Sequence, residues 1–166
     1  MAKKDEVKIV SLDVSSTCTG YSKFLMDSKK KSYKHISTGS IRPPAKDLIY
    51  KRFDKILTHF ETENLYEWCD IVIFENYAFG GNRVTQLAEL NGVMKYNYYI
   101  NGKEIHVIAP SSIKKLITGN GRAKKSEVRD ALLQLKGFSN LEFKNEDESD
   151  SFAVGVSYML KQFNED

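Results

Sequence analysis

Four acids in this chain stand where an apolar core has no use for charge. Asp13 ends the run VKIVSLD, and Glu75 ends a second run, DIVIFE. Asp147 and Asp150 lie three residues apart, near the start of the last apolar-periodic segment. Each has a structural explanation when taken alone. Asp13 can form an Asx turn with the small polar residues Ser15, Ser16, Thr17, Thr19 and Gly20. Acids in a first helical turn are favoured by the macrodipole, which explains one or two of Glu146, Asp147, Glu148 and Asp150. Taken together they suggest chemistry. Two core strands that each deliver a carboxylate to one sheet edge, with an i, i+3 acid pair added from a helix, make an oxygen-only ligand set. Such a set suits Mg²⁺ or Mn²⁺, whereas no histidine–cysteine cluster calls for zinc. A buried helix aiming two acids the same way needs a cation between them. Two such ions about 4 Å apart activate water and stabilise the leaving oxygen in phosphodiester cleavage. The residues alone therefore point to a metal-dependent nuclease or a related phosphoryl-transfer enzyme.

The segments that must position these acids can be read from periodicity. Residues 7–12 (Val7, Ile9, Val10, Leu12) form a buried strand ending at Asp13. A second strand is expected over 21–26 and a third over 33–41, joined by the charged turn Asp27-Ser28-Lys29-Lys30-Lys31. Pro43-Pro44 stops the sheet before a helix with Ile49, Phe53, Ile56, Leu57 and Phe60 on one stripe and His59 beside it. Residues 70–74 form the next strand. If it is a parallel neighbour of the first, Asp13 and Glu75 meet at the edge where open α/β sheets place their sites. A glycine-containing loop, 76–83, leads into a helix over 84–99 with Leu87, Leu90, Met94 and Tyr98 on one side. Gly92 within it suggests close approach of another backbone. Residues 104–108 form a fifth strand with His106 on its less buried face, and Pro110 opens a short helix through Ile117. Ser126 is placed to cap a helix carrying Val128, Ala131, Leu132 and Leu135 inward. The last helix shows Asp147, Asp150, Ser151, Val154 and Tyr158 on one side and Phe152, Val156, Met159 and Phe163 on another.

Composition bounds the rest. With 166 residues, 41% hydrophobic and 28% charged, the chain reads as a single α/β domain with a real core. It has no run of signal-peptide or membrane-spanning length, and its two cysteines, Cys18 and Cys69, are widely separated. A reducing cytoplasmic compartment is the expectation. The net charge of +3 is mild, but residues 110–136 carry Lys114, Lys115, Arg122, Lys124, Lys125, Arg129 and Lys136 against only Glu127 and Asp130. This stretch reads either as a solvated face or as a nucleic-acid phosphate surface. Its Gly119-Asn120-Gly121 centre is not a P-loop, since the Gly-Lys-Ser/Thr ending is missing.

The segments LDVSSTCTGYSKF, GSIR, DIVIFEN, APSSIKKLITGNGRAKKSEV and DESDSFAVG, in that order and spacing, resemble the RuvC-type Holliday junction resolvases. The likeness runs over nearly the whole chain, and the short length looks like the bacteriophage branch. The resemblance implies a ribonuclease H-like fold, with a mixed five-stranded sheet flanked by helices. It also implies a homodimer, two Mg²⁺ or Mn²⁺ ions per active site, and paired incisions in four-way DNA. By position, Asp13, Glu75, Asp147 and Asp150 match the family's metal-binding carboxylates, and Lys114 and Lys125 its basic residues near the scissile phosphate. Lys125 would be catalytic with them. Tyr77 or Phe79 falls where the family carries a junction-probing aromatic, in a loop that is shorter here. With Lys115, Arg122, Lys124 and Arg83 these residues complete the expected DNA-binding set. Ser151 replaces the alanine that the family usually has after the last acid. A broader branched-DNA or flap nuclease on the same fold, and a non-catalytic junction-binding module, are the alternatives; the second need not keep four acids. No membrane role is expected, and a phage origin would place the protein in a bacterial host's cytoplasm. The expected dimer forms through helix 84–99, with Leu90 and Met94 among its contacts.

Overall fold

The computed structural model describes residues 5–77 and 83–165. Three strands, β1 (Glu6–Asp13), β2 (Thr19–Asp27) and β3 (Ser32–Ile41), form an antiparallel meander. Helices α1 (Ile49–Thr62) and α2 (Leu65–Trp68) cross over to β4 (Ile71–Glu75), which pairs parallel with β1. Helix α3 (Val84–Ile100) then crosses to β5 (Glu104–Ile108), parallel with β4. The mixed five-stranded sheet has the order β3-β2-β1-β4-β5. Three helices close the chain: α4 (Pro110–Thr118), α5 (Lys125–Gln134) and α6 (Glu146–Glu165).

Alternation along the strands sorts side chains into two cores. Val10, Leu12, Val72 and Phe74 join Phe53, Ile56, Phe60, Leu90, Met94 and Tyr98 beneath α1–α3. Ile9, Phe24, Ile71 and Ile73 join Ile113, Leu132, Phe152, Val156 and Met159 beneath α4–α6. With a side-chain period of two, Asp13 and Glu75 follow Ile9 and Ile73 onto the α4–α6 side. The parallel register pairs Leu12 with Phe74, so the two acids come one residue later at the same level.

Helix α6 lies directly on the sheet because glycines allow it. A Cβ at Gly155 would collide with the Phe24 ring and stand 2.6 Å from Ser11 Oγ. A Cβ at Gly20 would run into the Asp147 carbonyl group, 2.5 Å from its carbon. Hydroxyls then fix the contact. Ser11 Oγ donates to the Ser151 carbonyl at 2.7 Å, and the Ser22 and Ser151 hydroxyls pair at 3.0 Å. The start of α6 is fastened separately. Asn145 Oδ1 accepts the Glu148 N–H at 3.0 Å as an N-cap, and Glu148, 4% exposed, accepts from Ser40 Oγ and the Lys144 N–H. Glu148 is thus a clasp between α6 and β3, with no place among the free acids of this segment.

Several expected details change. Among the described residues nothing lies within 4 Å of a Cβ at Gly92, so none of their backbone approaches it. Helix α5 begins at Lys125 with Lys124 as N-cap; the Lys124 N–H donates to Glu127 Oε2 at 2.6 Å, and Ser126 already lies inside the helix. His106 turns toward α6, its ring 5.0 Å from that of Tyr158, and Val107 takes the exposed position on β5. Among the described residues, no helix is long and apolar enough to cross a membrane.

Candidate active site

The carboxyl ends of β1 and β4 open into a pocket of about 120 Å³. It is lined by Asp13, Glu75, Asp150, Lys114 and Lys125, with Pro110, Ile113, Val128 and Ala153 as its apolar wall. Three of the four predicted acids and both predicted phosphate-facing lysines therefore meet in one place. Each comes from a different element: β1, β4, α6, α4 and α5.

The electrostatics show the cost of this gathering. Burial pushes the Asp13 carboxyl up to about 8, with further repulsion from Glu75, Asp150 and Asp147. Glu75 rises to about 7, chiefly through burial and then Asp150. Burial also raises Asp150, although Lys125 opposes this by donating from Nζ to Asp150 Oδ2 at 2.5 Å. That hydrogen bond in turn raises Lys125, which keeps its proton at neutral pH. Crowded carboxylates that resist ionisation are the environment a divalent cation relieves, because positive charge between them reverses the repulsion.

Asp147 departs from the expected arrangement. It does not line the pocket: Arg42 Nη2 lies 3.6 Å from its Oδ2, and the buried Cys18 thiol is pushed up to about 11 by burial and then by the Asp147 carboxylate. With Asp147 paired to Arg42, the fourth acid stands apart from the three that line the pocket. Among the described residues, no group of three or more acids, histidines or cysteines already stands arranged to hold a metal ion. The donor set nonetheless fits one. Asp13 and Glu75 share a level, Asp150 faces them, and Asp147 still raises the proton affinity of Asp13 through space.

The other predicted DNA-contacting residues are dispersed. Lys115, Arg122, Lys124 and Arg83 are exposed and lie outside the pocket lining, while Tyr77 is half-buried just beyond Glu75. Phe79 lies outside the described residues. Arg42 and Cys18 were not foreseen as site residues. The sequence signal for Arg42 was its place directly after the third strand, in GSIR, at the sheet end where Asp13 emerges.

The family model described as "Crossover junction endodeoxyribonuclease RuvC" matches residues 9–158. A curated protein of that name from Caldicellulosiruptor saccharolyticus is 29% identical over 162 residues, covering 93% of each chain. One from Bdellovibrio bacteriovorus is 30% identical over 159 residues, covering 92% of this chain and 90% of the relative. Among solved structures, Thermus thermophilus RuvC in complex with Holliday junction substrate superposes with a TM-score of 0.79 at 13% identity, covering 96% of each chain. The fowlpox virus resolvase in complex with Holliday junction DNA gives 0.55 at 19% identity, covering 93% of this chain and 97% of that one. The fold is that of the ribonuclease H-like resolvases.

Proposed function

Because the chain belongs to the RuvC family of crossover junction endodeoxyribonucleases, we propose that it is a divalent-metal-dependent endonuclease resolving four-way DNA junctions by paired phosphodiester hydrolysis. The observation that carries this reading is the convergence of Asp13, Glu75 and Asp150 with Lys114 and Lys125 in one pocket. A junction-binding module without catalysis would need the lysines but not a set of acids so crowded that burial and mutual repulsion hold their pKa values up.

Asp13, Glu75 and Asp150, joined by Asp147 after a side-chain rotation, are the residues that would hold Mg²⁺ or Mn²⁺, two ions in the full site. When bound, the metal supplies an activated water and charge stabilisation at the leaving oxygen. The protein contributes position and charge. Lys125, kept protonated beside Asp150, offers a phosphate oxygen a fixed cation, and Lys114 offers a second from α4. The wall of Ile113, Val128 and Ala153 limits water on one side and strengthens both contacts. Lys115, Arg122, Lys124 and Arg83 are assigned to the flanking phosphates, and Tyr77 and Phe79 to the junction centre.

Resolution needs two cuts, and a two-fold dimer supplies two identical sites. Helix α3 supports such an assembly with a different set of residues from Leu90 and Met94, which are fully buried in the monomer core. Val93, Tyr96, Tyr99 and Ile100 are 41%, 62%, 71% and 58% exposed, and Gly92 opens beside them. An apolar, aromatic stripe of this kind on a helix surface is the composition of an interface core. The bacteriophage branch and a bacterial host's cytoplasm complete the proposal, supported by the sequence resemblance alone.

The test is cleavage of synthetic four-way, three-way, flap and linear duplex DNA with Mg²⁺ or Mn²⁺. Paired symmetric incision of the four-way substrate is expected. Equal cutting of flaps would favour the broader branched-DNA nuclease, and metal-independent or absent cleavage would overturn the assignment.

A further inference from the structure

The carboxylates stand between two sets of cations. Lys114 and Lys125 reach them from α4 and α5, and Arg42 reaches Asp147 from the far side, at the end of β3. The Arg42 side chain is 65% exposed and its contact with Asp147 is long, 3.6 Å. A pair this long, with the guanidinium largely in solvent although Asp147 is only 24% exposed, is weak and exchanges readily for a better anion. A phosphodiester is a better anion for arginine, because a guanidinium can take two of its oxygens at once. The main chain of Asp147 is fixed by the close approach of Gly20. Rotation of its side chain is therefore the movement left to it.

We infer that Arg42 is a DNA phosphate contact and a positioning residue for Asp147. Without DNA its guanidinium holds the Asp147 carboxylate outside the metal pocket; a phosphate of the bound strand takes the guanidinium and frees Asp147 to join Asp13, Glu75 and Asp150. Metal affinity and DNA binding are thereby coupled through one side chain. The inference rests on the reading of these acids as metal ligands. It adds a residue on the β3 side of the site to the basic residues of α4 and α5.

Two measurements that need no cleavage test it. Mn²⁺ binding to the DNA-free protein is followed by titration calorimetry in wild type, Arg42→Gln, Arg42→Lys and Asp13→Asn. Arg42→Gln is expected to bind Mn²⁺ more tightly, by up to about fivefold for a long, solvent-screened ion pair, while Arg42→Lys stays near wild type. Junction binding is then measured by anisotropy in EDTA across a salt series. Arg42→Gln should weaken it and reduce the slope of log K against log salt by about one. Unchanged Mn²⁺ affinity, or an unchanged salt slope, would overturn the inference. A wild type lacking any Mn²⁺ site sensitive to Asp13→Asn would instead refute the metal assignment, and the inference with it.

Discussion

At the scale of single residues, the site is a set of acids held together against their own repulsion. Asp13 is raised from 3.8 to about 8 and Glu75 from 4.5 to about 7. Both folded values exceed the unfolded ones, so between pH 4 and 8 the folded state binds more protons. Stability of the metal-free protein should therefore fall as pH rises through that window. Thermal melts in EDTA should show a lower Tm at pH 8 than at pH 5.5. Mg²⁺ should restore stability at the upper end, and Asp13→Asn should flatten the profile; a metal-free Tm that rises from pH 5.5 to 8 would contradict this account. In turnover, Asp13→Asn or Asp150→Asn is expected to abolish junction cleavage while leaving binding close to wild type or slightly tighter. Retention of the wild-type cutting rate by either variant would dismiss the carboxylate set. Ser151→Ala removes the pairing with Ser22 Oγ and should cost about 1 kcal/mol, as expected for one buried hydrogen bond.

At the scale of elements, the decisive fit is α6 against β1 and β2. Gly155→Ala forces a methyl against Phe24 and Ser11 and should destabilise by about 1–3 kcal/mol, the usual cost of overpacking. Gly20→Ala presses on the Asp147 backbone and should lower cleavage by more than its effect on Tm accounts for. Equal, small effects on rate and Tm would show that α6 tolerates displacement. Most of the elements were legible in the sequence, the core strands as short unbroken apolar runs and the helices by their 3.6 period; the one-turn helix α2 (Leu65–Trp68), too short to show a period, was not. The strand-end acids were legible because nothing in an Ile-Val-Ile-Phe run explains a carboxylate at its end. Three further things were not. Gly20 and Gly155 owe their meaning to what lies across the interface, which no local pattern encodes. Arg42 and Asp147 meet over more than a hundred residues of chain. Glu148 looks like one more acid of a charged run until the fold buries it against Ser40.

At the scale of the molecule, the proposed dimer turns on α3. Its side toward the sheet, with Leu90, Met94 and Tyr98, is core, so Leu90→Glu or Met94→Glu should unfold the protein. Its outer side should carry the dimer, so Tyr96→Glu with Val93→Glu should give a folded monomer by sedimentation. That monomer is expected to nick single strands without resolving junctions; a double variant that remains dimeric would remove α3 from the interface. The sheet also separates two responsibilities. The acids lie on the α4–α6 side and the exposed stripe belongs to α3 on the other, each with its own apolar core. Damage to one layer's function can thus leave the other's intact within the same protomer. A dimer assembled from one wild-type and one Asp13→Asn subunit should consequently seat on the junction as well as the symmetric pair does. It should then stop halfway, leaving three strands whole and one carrying a single ligatable break.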